Sequence, residues 1–386
     1  MKKNLKRSAF VPAACLCIAW PLAHAQNAET GDTLQFRVGA ALERDSNVLR
    51  APDGPSDTVG ILTAGARYDK QFSLQRVVLD AEVATHRHQD FSSLNYNTLN
   101  YNAAWNFAIT PRFRGVLSAT QNEYRDVSVA TTGVSESNVR TERIQLIEGT
   151  YAPGGGFLAQ AGLSHSSSEA EVARTLESSP SVRSLRLGTG YETARGSSVI
   201  LQYRRGDGEY DNLATDFKEN ELSVIARWPV TAKTTLDGSI GYLERDHDGN
   251  PAFDFDGLVA NVGVNWEITG KTSLNAGIER NLGSYEVASG GYVRSVRTFI
   301  QPIWRATAKT AVRLRYQRED RTWVTTAAAP DFNRSDDVNA FGVFVDWEPV
   351  RRVVVSGAIR TERRDSSIDA FDYRATIVGV GARYTF

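Results

Sequence analysis

Cysteine is nearly missing from this 386-residue chain, and its two copies, Cys15 and Cys17, both fall within the first 25 residues. The remainder therefore has no disulfide framework. Long apolar runs are missing as well: beyond Leu22 no stretch of eighteen residues is apolar enough for a membrane-spanning helix. Nor is there an excess of positive charge, with 44 Lys and Arg against 45 Asp and Glu, which argues against a nucleic-acid partner. These gaps suit a secreted soluble protein. They suit a β-barrel equally, because in a barrel only alternate residues need be apolar.

The N-terminus predicts export from the cytoplasm. Lys2, Lys3, Lys6 and Arg7 precede a largely apolar run from Ser8 to Leu22, and Ala23-His24-Ala25 gives a small-x-small cleavage site. Residues 1–25 read as a signal peptide, and 26–386 as one mature domain. Pro12-Ala13-Ala14 before Cys15 lacks the leucine of a lipobox. Cleavage removes four basic residues and no acids, leaving 361 residues with 40 basic against 45 acidic (40 − 45), a charge of about −5. About seven residues separate Gln26 from the first patterned segment, too few for a plug domain.

The last segment, Phe371 to Phe386, shows the fold class. Phe386, Tyr384, Ala382, Val380, Val378 and Thr376 share one strand face; Thr385, Arg383, Gly381, Gly379, Ile377 and Ala375 share the other. An apolar face with terminal aromatics, backed by a small or polar face, is the pattern of a transmembrane β-strand. A chain ending in Phe with Tyr two before it also resembles the signature read by the outer-membrane barrel-assembly machinery.

Similar alternation recurs over 33–44, 57–68, 74–88, 95–108, 112–126, 139–151, 156–167, 181–193, 197–206, 216–228, 233–246, 253–267, 272–285, 292–306, 310–322, 335–348, 352–364 and 371–386. That predicts an all-β, antiparallel, up-and-down transmembrane barrel of about eighteen strands in the outer membrane of a Gram-negative bacterium. Short connections such as Val230 to Lys233 and Thr269 to Lys271 alternate with longer polar ones such as Asp45 to Ser56, Val127 to Asn138, Ser166 to Pro180 and Thr322 to Arg334. The short set is expected on the periplasmic side and the long set outside.

A repeat of about forty residues accompanies the hairpins. Trp105, Trp228, Trp266, Trp304 and Trp347 each precede a short turn, and with Phe386 they predict an aromatic girdle at the membrane interface. Charged groups such as Glu43-Arg44-Asp45 and Arg318-Glu319-Asp320 recur at the other strand ends, where solvated ion pairs or contacts with lipopolysaccharide or a transported polymer would serve. Strand parity assigns sets such as Phe36, Val38, Ala40 and Phe341, Val343, Val345 to lipid. It assigns Arg76, Asp80, Glu82, Asn100, Asn102, Asn261 and Asn265 to the interior, with Arg227, Asp237, Glu267, Arg313, Arg315, Asp346, Arg360 and Arg383 expected as the principal pore-lining contacts. A wet lumen hydrates such charges, whereas a soluble core would have to pair each of them.

Little in the chain suggests catalysis, a metal or a cofactor, and none is expected. His86 and His88 share a face without a third ligand, and His165 with Ser167 has a His-x-Ser spacing seen in smaller outer-membrane phospholipases. Asp-Gly pairs at 53–54, 207–208 and 248–249 read as loop turns. No long acidic loop stands out as an inward-folded constriction.

Two stretches resemble a family. Asp45-Ser46-Asn47-Val48-Leu49-Arg50-Ala51-Pro52-Asp53-Gly54 with Ser56-Asp57-Thr58, and Tyr101-Asn102-Ala103-Ala104-Trp105 leading to Thr110-Pro111-Arg112, are similar to the exosortase-associated exopolysaccharide-biosynthesis outer-membrane barrels called EpsL. The resemblance implies passage of an exopolysaccharide through the outer membrane, with polysaccharide and periplasmic export components as partners beside membrane lipid. The leading expectation is an export channel with a hydrated lumen of mixed charge. A general or sugar-selective diffusion porin for uptake, and a structural or adhesive barrel, stand as alternatives.

Overall fold

The computed structural model describes residues 33–127, 137–171, 179–211, 215–249, 251–284, 292–324 and 334–386; the expected signal peptide lies outside them. Eighteen strands follow one another: β1 (Leu34–Asp45), β2 (Asp57–Phe72), β3 (Gln75–His88), β4 (Tyr96–Thr110), β5 (Phe113–Arg125), β6 (Val139–Gly154), β7 (Phe157–Ala170), β8 (Pro180–Glu192), β9 (Ser198–Tyr210), β10 (Phe217–Pro229), β11 (Thr234–His247), β12 (Phe255–Trp266), β13 (Thr272–Ser284), β14 (Tyr292–Arg305), β15 (Thr310–Val324), β16 (Ser335–Trp347), β17 (Val353–Ser366) and β18 (Tyr373–Thr385). Each pairs antiparallel with its sequence neighbours, and β1 pairs with β18, so the sheet closes on itself. Closure leaves no unpaired edge, the condition a sheet must meet to stand in lipid.

The seam is firmly registered. β1 and β18 pair from Arg37 opposite Thr385 to Asp45 opposite Ile377. Beyond that ladder, Phe36 and Phe386 exchange two backbone hydrogen bonds of 2.8 and 2.9 Å, and their rings stack at 5.7 Å.

Short turns close one end of the ring, and three are built alike. Thr231-Ala232-Lys233-Thr234, Thr269-Gly270-Lys271-Thr272 and Thr307-Ala308-Lys309-Thr310 each use the first threonine's Oγ1 to accept the lysine N–H at 3.1 Å. The first threonine N–H in turn donates to the carbonyl of the second at 3.1–3.2 Å. A hydroxyl thus replaces a missing backbone acceptor, the ordinary reason threonine suits tight turns. Trp228, Trp266 and Trp304 stand three residues ahead, giving a spacing of 38 (266 − 228 and 304 − 266).

Cross-strand registers divide the side chains between two surfaces. On the outer one Leu62, Ile278, Ile359 and Val380 are exposed, forming an apolar band. Trp105, Trp228, Trp266, Trp304, Trp347 and Phe386 stand on that outer side toward the short-turn end, between 43% and 56% exposed. Leu34 and Tyr191 join them there. The inner surface is revealed by side chains that reach past a neighbouring strand. Arg37 on β1 reaches Asp80 and Glu82 on β3 at 2.6 and 2.9 Å. It crosses β2 over Gly65, where a Cβ would stand 2.7 Å from its Nε. An apolar band with an aromatic belt outside and ion pairs inside is the build of an outer-membrane barrel.

Two local readings of the sequence change. Asp207-Gly208 lies inside β9 and not in a loop turn. Gly208 is there because the Phe217 ring covers it, at 2.2 Å from where a Cβ would be. β7 also continues to Ala170, past the loop start expected at Ser166. Around Gly208 the interior is aromatic: Tyr210 packs on Phe217, and the Arg245 guanidinium sits 4.1 Å from the Phe217 ring and 4.8 Å from that of Phe255.

Candidate lumen and its constriction

The connection between β1 and β2, residues 46–56, folds into the barrel. Its course is set locally by two polar side chains. Asp45 accepts the Asn47 N–H at 2.9 Å, and the Asn47 side chain donates to the Ala51 carbonyl at 2.7 Å while accepting the Ala51 N–H at 3.2 Å. Such Asx turns give a short loop its own backbone partners. Val48 is consequently buried, with 2% of its surface exposed.

Long-range contacts then hold the loop from both sides. Arg125 at the end of β5 donates to the Val48 carbonyl at 3.1 Å. Arg50 pairs with Asp45 at 2.8 Å, donates to the Asn47 carbonyl, and lies 6.0 Å from the Tyr373 ring of β18. Burial by itself would lower the Arg50 guanidinium, but the Asp45 and Glu362 carboxylates and Tyr373 outweigh it and raise the group above its ordinary value. The loop is clasped by a permanent charge.

Behind Tyr373 the clasp continues as an alternating stack. Arg334 lies 4.4 Å from the Trp323 ring and 3.6 Å from that of Phe371, and Arg364 stands 4.6 Å from the Tyr373 ring. Asp336, buried, holds Arg334 at 2.5 Å. Guanidinium planes over aromatic faces contribute about 0.5–2 kcal/mol each. The wall beneath the loop is therefore stiff.

Beside the loop lies a cavity of about 190 Å³ bounded by Glu43, Arg50, His86, Tyr96, Tyr124 and Arg360. Arg360 on β17 bonds Glu43 on β1 at 3.0 Å. His86 stacks flat on Tyr96, with ring centres 4.2 Å apart. Farther round, the Arg297 guanidinium of β14 acts electrostatically on the Glu142 carboxyl of β6, which stands on the facing wall of the ring. The clasped loop thus narrows the lumen on the β17–β18–β1 side.

Guanidiniums and carboxylates occur in about equal number on the inward faces, and most are paired. Arg204 meets Glu219 and Glu221 at 2.5 and 2.8 Å, Arg297 meets Glu279 and Glu319 at 3.3 and 3.2 Å, and Arg114 of β5 meets Glu192 of β8 at 2.6 Å. Of the residues expected to line the lumen, seven stand on inward faces. Arg227 and Asp237 sit opposite each other, 3.7 Å apart. Arg313 is only loosely joined to Asp346, at 3.8 Å, and its guanidinium lies 5.0 Å from the Phe344 ring. Arg315 is bonded through Gln317 at 2.9 Å. Arg360 and Arg383 occupy the inward faces of β17 and β18. Glu267 differs: it lies one residue beyond β12, exposed, its N–H bonded to the carbonyl of Lys233 in the turn that precedes β11. Parity carries no meaning once the strand has ended.

Asn47 and Arg50 stand in the stretch that carries the family resemblance but were not expected in the lumen, and Arg125 and Tyr373 were passed over; together they build the constriction. Asp45-x-Asn47 signalled the local turn, but nothing near the loop announces Arg125 or Tyr373. His165 and Ser167 share the outward face of β7, flanked there by Gln145, Arg183, Arg143 and Ser181, with no carboxylate directly opposite to orient the imidazole. Among the described residues no three His, Cys, Asp or Glu side chains gather as a metal site.

Residues 198–386 match a family model described as "Putative beta-barrel porin 2". No curated protein matches the chain. Among solved structures, OpdK of Pseudomonas aeruginosa, crystallised with vanillate, is 11% identical over 92% of this chain and 99% of its own, with a TM-score of 0.50. OccK2 (OpdF) of the same organism, in complex with glucuronate, is also 11% identical, over 92% and 97%, with a TM-score of 0.49. At these identities the likeness is one of fold. Barrel, belt and porin match together describe a porin-like barrel of the Gram-negative outer membrane; they do not show the exopolysaccharide family that the sequence resembles.

Proposed function

We propose that the protein is a diffusion porin that passes small polar solutes and favours anions. The observation that carries this reading is the clasped loop at 46–56, which takes up lumen space a polymer chain would need. Anion preference follows from β15, where Arg313 and Arg315 share the inward face, the first only loosely joined to Asp346 at 3.8 Å and the second with no carboxylate bonded to it among the described residues. A file of guanidiniums offers a small carboxylate successive weak sites, which aids entry without trapping the solute. The resemblance to exopolysaccharide barrels supports a competing reading, polymer export, against which the clasped loop stands.

Planar bilayers with the purified protein test both. Reversal potentials in a salt gradient are expected to show anion preference, and vanillate or glucuronate is expected to interrupt the current where a long anionic polysaccharide leaves it unchanged. Large openings blocked by the polymer alone would replace uptake with export. A protein that conducts nothing would point to a structural barrel.

A further inference from the structure

The charged rim above the apolar band is uneven in sign, and its unevenness lies on the outer surface. On the outward faces of β17, β18, β1, β2 and β3, at the long-loop end, stand Arg363, Arg374, Arg44 and Arg87. Asp365 is the one carboxylate on those faces among the described residues, and it bonds Arg363 at 2.6 Å. Elsewhere the rim is balanced or acidic, apart from Arg280 and Arg294 on the outward faces of β13 and β14. Arg318 is matched by Asp320 and Asp337 at 2.9 and 2.6 Å. The outward ends of β11 and β12 carry Glu244, Asp246 and Asp256. A merely solvated rim has no reason to sort its charges in this way.

The basic arc also contains a conflict of its own. Arg363 and Arg374 stand directly opposite each other on β17 and β18, and like charges so placed are destabilising. Arg374 is exposed, and no carboxylate bonds it among the described residues. Arg44 is held by the hydroxyls of Thr58 and Ser56 at 3.1 and 2.6 Å, and Arg87 by the Asn97 side chain and the His86 and Tyr96 carbonyls at 2.9–3.1 Å. Those neutral partners fix the guanidiniums in place and leave their charge uncompensated. Directly below lie the exposed apolar residues Leu42, Val83, Ile359 and Val378, at the depth of acyl chains.

We infer that this arc binds the phosphate groups of lipopolysaccharide in the outer leaflet. Long loops of outer-membrane barrels face outward, so the arc stands at the level of that lipid's phosphorylated headgroup. A phosphate between Arg363 and Arg374 would turn their repulsion into a bidentate grip, with Arg44 and Arg87 farther round for a second phosphate.

Purified protein in detergent, titrated with bisphosphorylated lipid A and followed by native mass spectrometry, tests the inference. Arg363→Gln with Arg374→Gln is expected to weaken binding roughly fivefold per arginine, whereas Lys218→Gln on the acidic side of the ring leaves it unchanged. Arg363→Lys with Arg374→Lys keeps the charge and is expected to retain most of the affinity; its heat-dependent shift on gels shows that the barrel is folded. Equal binding of dephosphorylated lipid A, or equal loss with Lys218→Gln, overturns the inference. So does inorganic phosphate competing at the same concentration as the lipid, since the partner would then be a free anion.

Discussion

Arg50 shows how much of the molecule one side chain can organise. It bridges the turn that begins at Asp45, the carbonyl that follows Asn47's own bonds, and the aromatic stack that starts at Tyr373. Arg50→Ala is expected to cost about 1–3 kcal/mol through the lost charged hydrogen bonds. It is also expected to raise single-channel conductance, because the tip of the loop would lose its bond to Asp45 and be held by Arg125 at Val48 and by the Asn47 and Ser46 bonds to β18. Bilayer recording checks this: conductance equal to that of the unaltered protein would mean that the loop does not bound the conducting path. A polar connection from Asp45 to Ser56 was legible in the sequence, but its inward direction was not. That direction depends on Arg125 and Tyr373, which lie far along the chain and meet the loop only when the ring closes.

At the scale of the strand, period-two patterning carried the reading because lipid and lumen make opposite demands on neighbouring residues. Val380 and Gly379 illustrate it: Val380 is 60% exposed on the outer surface, and Gly379 faces inward. Val380→Arg is expected to cost about 2–4 kcal/mol or to block insertion, as charge on a lipid face does. Arg383→Ala, three residues on and inward, is expected to insert normally. Folding yield into lipid vesicles, read from the gel shift, compares the two; equal yields would mean that the faces are reversed. The same patterning misleads where other causes place a residue. Glu267 has inward parity but no strand beneath it, and Asp207-Gly208 has turn composition because Phe217 needs the space above its glycine.

For the whole molecule, closure and strand number were legible from the alternation of short and long connections, since an up-and-down ring needs nothing else. The shape of the interior was less so. Pairings such as Arg114 with Glu192, or Arg37 with Asp80, are made across strands that are not neighbours in the sheet. They depend on how a ring of this circumference curves, which composition and periodicity do not express.

The three matching turns at Thr231, Thr269 and Thr307 bear on that circumference. Because their spacing is constant, the segment from Thr234 to Lys271 begins and ends at equivalent points of the ladder: Trp228 faces Leu236 across one turn, and Trp266 faces Leu274 across the next. The hairpin is therefore a removable stave. Excising residues 234–271 would join Lys233 to Thr272 and recreate the turn with the register intact, leaving sixteen strands (18 − 2). A ring shortened by one stave is expected to close with a smaller bore, since barrel diameter grows with strand number. Lower conductance from a folded product would show that this protein's gauge is set by counting copies of a unit, and a product unable to fold would show that each stave is fitted to its place.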